Sequence, residues 1–216
     1  MEIIIRDYRQ EDSAQVASVF RDASQVLRKS RGGSHPDKTI DEQLRGSDRD
    51  ILVKFAGGTK LIVAEVKETG EIVGTGGISH GALERLTGST YSTAHYVKSD
   101  FQRGKAGVPV GSMIRKEILA RATALGCRKI YGFSTPEAVG FHKKHGAVFF
   151  PCHDRYEGND MRLPYYEVEL KPSMWNRLRI EPYVFKLNEL LFSLFIMRII
   201  IFGAPKEKKA PAKKAS

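Results

Sequence analysis

FQRGKAGVPVG, residues 101–111, sets three glycines, an arginine and a lysine between a strand-like segment, STAHYVK (92–98), and a helix-like one, SMIRKEILARATAL (112–125). Glycine lets a backbone turn tightly or come close to a ligand. A helix N-terminus carries unpaired N–H groups and a partial positive charge, so it favours an anion. Arg103 and Lys105 add formal charge to the same place. The stretch reads as a phosphate cradle at a strand-to-helix junction, where helix starts and strand ends converge in open sheets.

The flanking sequence supplies a mixed order of elements. EIIIR (2–6) reads as a strand, and Asp12 or Ser13 caps a helix whose Val16, Val19, Phe20, Ala23, Val26 and Leu27 fall at helical spacing. KSRGGSHPDK (29–38) is loop chemistry, and DEQLRGSDRDILVKFAGG (41–58) reads as a weaker second helix. LIVAEVK (61–67), the turn ETGE and IVGTGGIS (72–79) form a hairpin, and residues 80–91 read as loop. After the glycine-rich stretch and its helix, RKIYGFS (128–134) is a strand. Thr135 caps a further helix with Pro136 at its first position and Gly146 at its stop. AVFF (147–150) and YYEVEL (165–170) close the sheet. The expected fold class is α/β, a mixed central sheet flanked by helices.

This order resembles that of the GCN5-related N-acetyltransferase (GNAT) superfamily over roughly residues 2–170. HYVKSDFQRGKAG through VGSMIRKEIL is similar to the superfamily's strand end, Arg/Gln-x-x-Gly-x-Gly/Ala loop and helix. TPEAVGFHKKHGA (135–147) is similar to its Asn-x-x-Ala-x-x-Phe-Tyr-x-x-x-Gly-Phe helix, with Thr135 in place of Asn and His142 in place of Tyr. The resemblance implies acetyl-CoA as cofactor, used as acyl donor to an amine acceptor. It places Arg103, Gly104, Lys105, Ala106, Gly107, Val110, Gly111 and Ser112 at the pyrophosphate, and Val97 and Lys98 beside the pantetheine and thioester. Thr135 and Phe141 complete the cofactor set. His142 takes the place of the Tyr that protonates the leaving thiolate, since imidazolium is a competent acid near neutral pH. About three extra residues and Pro109 separate the front of the loop from its back.

No base stands out: His95, Glu65 and Glu71 are candidates by position, Asp154 and Glu157 by nearness to the acceptor side. His142, His145, Cys152 and His153 also permit a metal reading, but without a second cluster at strong spacing no metal is assigned. Two enzyme readings share the fold, acetyl transfer from CoA and transfer of a long acyl chain from a carrier protein. A non-catalytic acyl-CoA-binding module is the third. Segments 29–50, 80–91 and 153–164 are where acceptor specificity is expected.

At 216 residues the chain suits one domain plus an appendage. Two cysteines, Cys127 and Cys152, fit a reducing compartment, and the acidic start MEIIIRDYRQED does not read as a signal peptide, so a cytoplasmic setting is expected. The formal charge is +10, but residues 171–203 hold five Lys/Arg against two Glu, and 204–216 five lysines against Glu207. The globular part is only mildly basic, which argues against nucleic acid as partner.

Residues 171–203 form an apolar helical appendage and 204–216 a tail of disordered composition. FKLNELLFSLFIMRIIIFG (185–203) is interrupted by Lys186, Asn188, Glu189, Ser193 and Arg198. It can lie in an anionic membrane surface, with residues 183–216 as the contact, pack on the domain or on a second subunit as a homodimer, or cross a bilayer.

Overall fold

The computed structural model describes residues 1–30, 59–157 and 161–202. The helix expected at 41–58, most of the 29–38 loop and the 204–216 tail lie outside the described residues.

Strand β2 (Thr59–Val66) shows why the sheet is central. Its Ile62, Ala64 and Val66 join one hydrophobic cluster, and Leu61 and Val63 another. A strand buried on both faces has no polar side, so its sequence is an almost unbroken apolar run. Val16 and Val19 of helix α1 (Ser13–Ser30) cover the second face. The first is covered by Ile114, Ile118 and Ala122 of α3 (Val110–Ala124).

Seven strands make the sheet. With β1 (Ile3–Asp7), β3 (Glu71–Ser79), β4 (Ser89–Val97), β5 (Lys129–Phe133), β6 (Val148–Phe149) and β9 (Tyr165–Glu169), the order is β1-β2-β3-β4-β5-β9-β6. All neighbours are antiparallel except β4 and β5. β7 (Arg155–Glu157) and β8 (Met161–Leu163) form a separate hairpin.

Gly74 and Gly76 of β3 let α3 lie close. A Cβ on Gly76 would stand 2.5 Å from Cγ2 of Ile114, and one on Gly74 2.7 Å from its Cδ1. A larger residue at either position would force the Ile114 side chain or the helix to shift.

Several expectations are corrected. Residues 80–91 are not loop: they hold helix α2 (Ala82–Thr87), stopped by Gly88 at φ 64°, and the start of β4. The helix is a turn and a half, too short for periodicity to mark. Within 153–164, for which the sequence assigns no element, Arg155–Glu157 and Met161–Leu163 pair as β7 and β8. Thr135 occupies the cap position but makes no side-chain cap; a 3-10 turn, Pro136–Ala138, leads into α4 (Val139–Lys144).

Helix α5 (Glu181–Phe202) starts four residues before the expected point, and its first turns pack on the sheet. Glu181 is fully buried, accepting from Arg128 Nη2 at 2.6 Å and Lys129 Nζ at 3.1 Å. Phe185 packs between Tyr91 and Phe133, with centroids at 4.9 and 5.0 Å, and Asn188 donates to Glu84 at 2.6 Å. Farther along, Leu190, Leu191, Leu194 and Met197 are about half exposed. Among the described residues no helix is long and apolar enough to cross a membrane.

Candidate active site

The site begins where two strands part. β4 and β5 pair in parallel only from Ser89 to Tyr91, yet β4 continues to Val97. Beyond Tyr91 the strands diverge and leave a wedge. On its other edge β4 carries an extra residue: Thr75 faces Tyr96 while Gly77 faces Thr93. Ala94 adopts φ 56° there, which marks a β-bulge. Past the bulge the Lys98 amide donates to Val73 O at 2.9 Å, toward β3. Alternation therefore turns the Val97 amide away from β3 and into the wedge. The Val97 carbonyl faces the same way, accepting from Gln102 Nε2 at 2.8 Å.

The glycine-rich stretch connects β4 to α3 through two consecutive left-handed residues, Arg103 (φ 55°) and Gly104 (φ 72°). A turn closed by Gly107 N donating to Gly104 O at 2.8 Å accommodates the extra residues, with Gly107 at φ 74°. No side chain caps α3, and Pro109 precedes it. The Gly111 and Ser112 amides of its first turn have no acceptor within the helix. Gly111 keeps this end open: a Cβ there would sit 3.6 Å from the Phe141 ring and 3.7 Å from Val97.

Loop, wedge and helix start meet on one cavity of about 570 Å³. The structure brings to its wall His95, Val97, Arg103, Gly104, Val110, Gly111, Ser112, Thr135, Phe141 and His142. It does not bring Lys98, Lys105, Ala106 or Gly107 there. Lys98 has spent its amide on Val73, and its ammonium pairs with Glu71 at 2.7 Å. Lys105, Ala106 and Gly107 sit in the outward bulge that the extra residues create. The wall contributed by Ala23, Ser24, Val26 and Leu27 of α1 was missed as a site, because its helical spacing signals only burial. Gln102 and Glu137 were also missed.

Of the candidate bases, Glu65 pairs with Arg6 at 2.5 Å and Glu71 with Lys98. Asp154 accepts from the Tyr165 amide at 2.9 Å and from Arg162. None of the three lines the cavity. The Glu157 side chain lies outside the described residues.

Two histidines, His95 and His142, line the cavity with ring centroids 6.2 Å apart and one ring edge-on to the other. His95 donates from Nε2 to Gly111 O at 3.1 Å, which leaves Nδ1 with a lone pair. His142 stacks on Tyr166 at 4.4 Å, and its buried Nδ1 has no hydrogen-bond partner among the described residues. Burial, and then the nearby Arg115 charge, push both imidazoles down to about 3. This favours the neutral imidazole at neutral pH, whereas the sequence reading takes His142 as an imidazolium acid. His145 donates from Nδ1 to Phe141 O at 2.9 Å. Among the described residues no group of three His, Cys, Asp or Glu is placed to hold a metal.

No protein-family model matches the chain, and no curated protein matches its sequence. Solved structures match its fold. PaiA N-acetyltransferase from Thermoplasma acidophilum, in complex with coenzyme A, is 15% identical over 78% of this chain and 99% of its own, with TM-score 0.60. A GNAT-superfamily phosphinothricin acetyltransferase from Sinorhizobium meliloti, in complex with AcCoA, is 16% identical over 81% and 91%, with TM-score 0.59. An acetyltransferase of the GNAT family from Staphylococcus aureus Mu50 is 15% identical over 79% and 100%, with TM-score 0.57. The chain has the fold of the GCN5-related N-acetyltransferases.

Proposed function

We propose that the chain is an acyl-CoA-dependent N-acyltransferase, with acetyl-CoA as the simplest donor and a primary amine as acceptor. One observation carries the reading: an uncapped helix start, a left-handed Arg-Gly loop and the free edge of a bulged strand open onto a single cavity. Fold-mates that hold coenzyme A or AcCoA support it.

The Gly111 and Ser112 amides, with the α3 dipole behind them and Arg103 beside them, suit a diphosphate. The β4 edge at Val97 offers backbone partners to an extended amide chain, and its inward amide suits a developing oxyanion. Bound acetyl-CoA supplies an activated thioester carbonyl. As the amine nitrogen bonds to that carbon, the carbon–sulfur bond breaks; the amine's proton leaves through water and the sulfur departs as thiol. His142 and His95 are the catalytic candidates. Neutral His142 hydrogen-bonds the leaving sulfur, and His95 presents its Nδ1 lone pair to the amine side.

Calorimetry with CoA and acetyl-CoA, paired with a thiol-release assay over a panel of amines, tests this reading. Binding that weakens when Gly111 is replaced by leucine, and thiol release that depends on an amine, support it. No affinity for any acyl-CoA sinks it.

The proposed organisation is a transferase unit at 1–170, a helical appendage at 171–203 and a basic tail at 204–216. The half-exposed residues Leu187, Leu190, Leu191, Leu194 and Met197 follow helical spacing along α5, and five lysines follow in the sequence. This combination supports docking to an anionic membrane surface, and a cytoplasmic location is part of the proposal. Co-sedimentation of the full chain with phosphatidylserine vesicles, partly reversed by salt and lost on changing Leu190, Leu191 and Leu194 to glutamine, is the expected result. A salt-insensitive dimer that ignores vesicles would give the stripe to a second copy.

A further inference from the structure

We propose that Arg115 and His142 form a carboxylate pocket at the closed end of the β4–β5 wedge, so that the favoured donor is a short dicarboxylic acyl-CoA of the malonyl or succinyl kind. The inference rests on the acyl-CoA reading above and narrows its donor.

Arg115 of α3 is fully buried. Its one hydrogen bond runs from Nη1 to Ser92 Oγ, a long 3.3 Å, while Nε and Nη2 have no partner among the described residues. No carboxylate pairs with it there. The chain treats its other buried cations differently: Arg128 meets Glu181, and Lys129 meets both Glu167 and Glu181. The Tyr166 ring face, 5.4 Å from the guanidinium carbon, compensates Arg115 in part, but a buried cation without a carboxylate is still costly. His142 Nδ1 is a third buried nitrogen without a partner. It belongs to the same cluster, because His142 stacks on Tyr166 and the Arg115 guanidinium lies 5.4 Å from that ring's centroid.

Three unpartnered nitrogens around one ring suit a group with two oxygens. A guanidinium edge takes a carboxylate in a paired, planar fashion, and neutral imidazole donates from Nδ1 in one tautomer. Placement selects the donor as the source. Ser92, beside Arg115, is the first β4 residue past the point where β4 leaves β5. A thioester laid from the Arg103 loop along β4 toward the bulge at Ala94 points its acyl end at Ser92. Arg115 has no surface on the cavity, and His142 stands near it. Entry of the acyl end therefore requires the His142 ring to shift, its Nδ1 having no partner among the described residues.

The test is calorimetry on the full chain with CoA, acetyl-CoA, malonyl-CoA and succinyl-CoA, repeated on Arg115→Met. The wild type is expected to bind one carboxylate-bearing donor about tenfold or more tighter than acetyl-CoA, the scale of a charged hydrogen bond. In Arg115→Met that ratio falls to about one. Should the variant fail to fold, the wild-type ratio alone decides. CoA binding without a carboxylate preference, or a preference that survives in Arg115→Met, overturns the inference and leaves the acyl-CoA reading standing. No binding of any CoA species overturns the reading itself. With acetyl-CoA as donor, a preference for amino acids over their amides as acceptors, lost in Arg115→Met, moves the carboxylate to the acceptor and overturns the donor assignment.

Discussion

Lys129 Nζ and Glu181 Oε2 lie 3.1 Å apart with both side chains withdrawn from solvent, and the pair joins the sheet to the first turn of α5. Glu181 also holds Arg128, and Lys129 also holds Glu167. Two buried cations thus share two carboxylates. Removing one partner of such a set strands the others, at about 3–5 kcal/mol. Glu181→Ala should lower the urea midpoint accordingly, and Glu181→Gln, which keeps an acceptor oxygen, by less. An unchanged midpoint for the alanine variant would mean that α5 does not hold the sheet in solution.

The same contacts make the start of α5 part of the folded unit. A chain ending at Lys171 loses Glu181 and Phe185 together, exposing Tyr91 and Phe133 and leaving Arg128 and Lys129 short of charge. Its thermal melting should fall well below that of the full chain, and it should aggregate. A soluble truncation melting at the same temperature would contradict the packing described.

Gly76 sets the distance between sheet and α3. In Gly76→Ala the new methyl meets Ile114 Cγ2 at 2.5 Å and Ile118 Cδ1 at 2.9 Å, so these side chains or the helix that carries them must shift. Overpacking of this kind costs about 1–3 kcal/mol. Adding Ile114→Ala should recover part of that loss, which a double-mutant cycle measures as a coupling. Simple additivity would show that the helix shifts without strain.

The residues that were legible in the sequence are those whose local chemistry is single-valued. The β2–β3 hairpin announces itself through Gly70 and two apolar runs, and the helix after the loop through its termination at Gly126. The front and back of the cradle, Arg103-Gly104 and Gly111-Ser112, were also visible. What was not visible depends on the third dimension. The bulge at Ala94 has no glycine to mark it, since its left-handed residue is alanine. Whether Lys98 faces the cavity depends on its pairing with Val73, which is a matter of register. Arg115 looks in the sequence like an ordinary charge on an amphipathic helix, and only packing shows that it is buried.

Titration of the two cavity histidines gives the last prediction. Both are held neutral in the folded protein, near 3, whereas an unfolded chain titrates near the ordinary 6.5. Between these values the unfolded state binds protons that the folded state refuses, so stability falls as pH falls below 6.5. The loss approaches about 1.4 kcal/mol per pH unit for each ring, or roughly 2 kcal/mol each between pH 7 and 5. Arg115 and His145 are the charged or titratable groups that reinforce the effect on both rings. His142→Phe keeps an aromatic ring on Tyr166 and removes one titrating site, so its urea midpoint should fall about half as steeply, from these two sites, over that range. Arg115→Met removes the second cause and should raise both folded values, so the pH at which the slope levels off moves up. Turnover follows from the same electrostatics: with no imidazolium present at neutral pH, the rate should show no limb near 6.5 arising from loss of a histidine proton. A slope in His142→Phe equal to that of the wild type, or a descending limb near 6.5 that this variant abolishes, would show that His142 is charged where its burial holds it neutral.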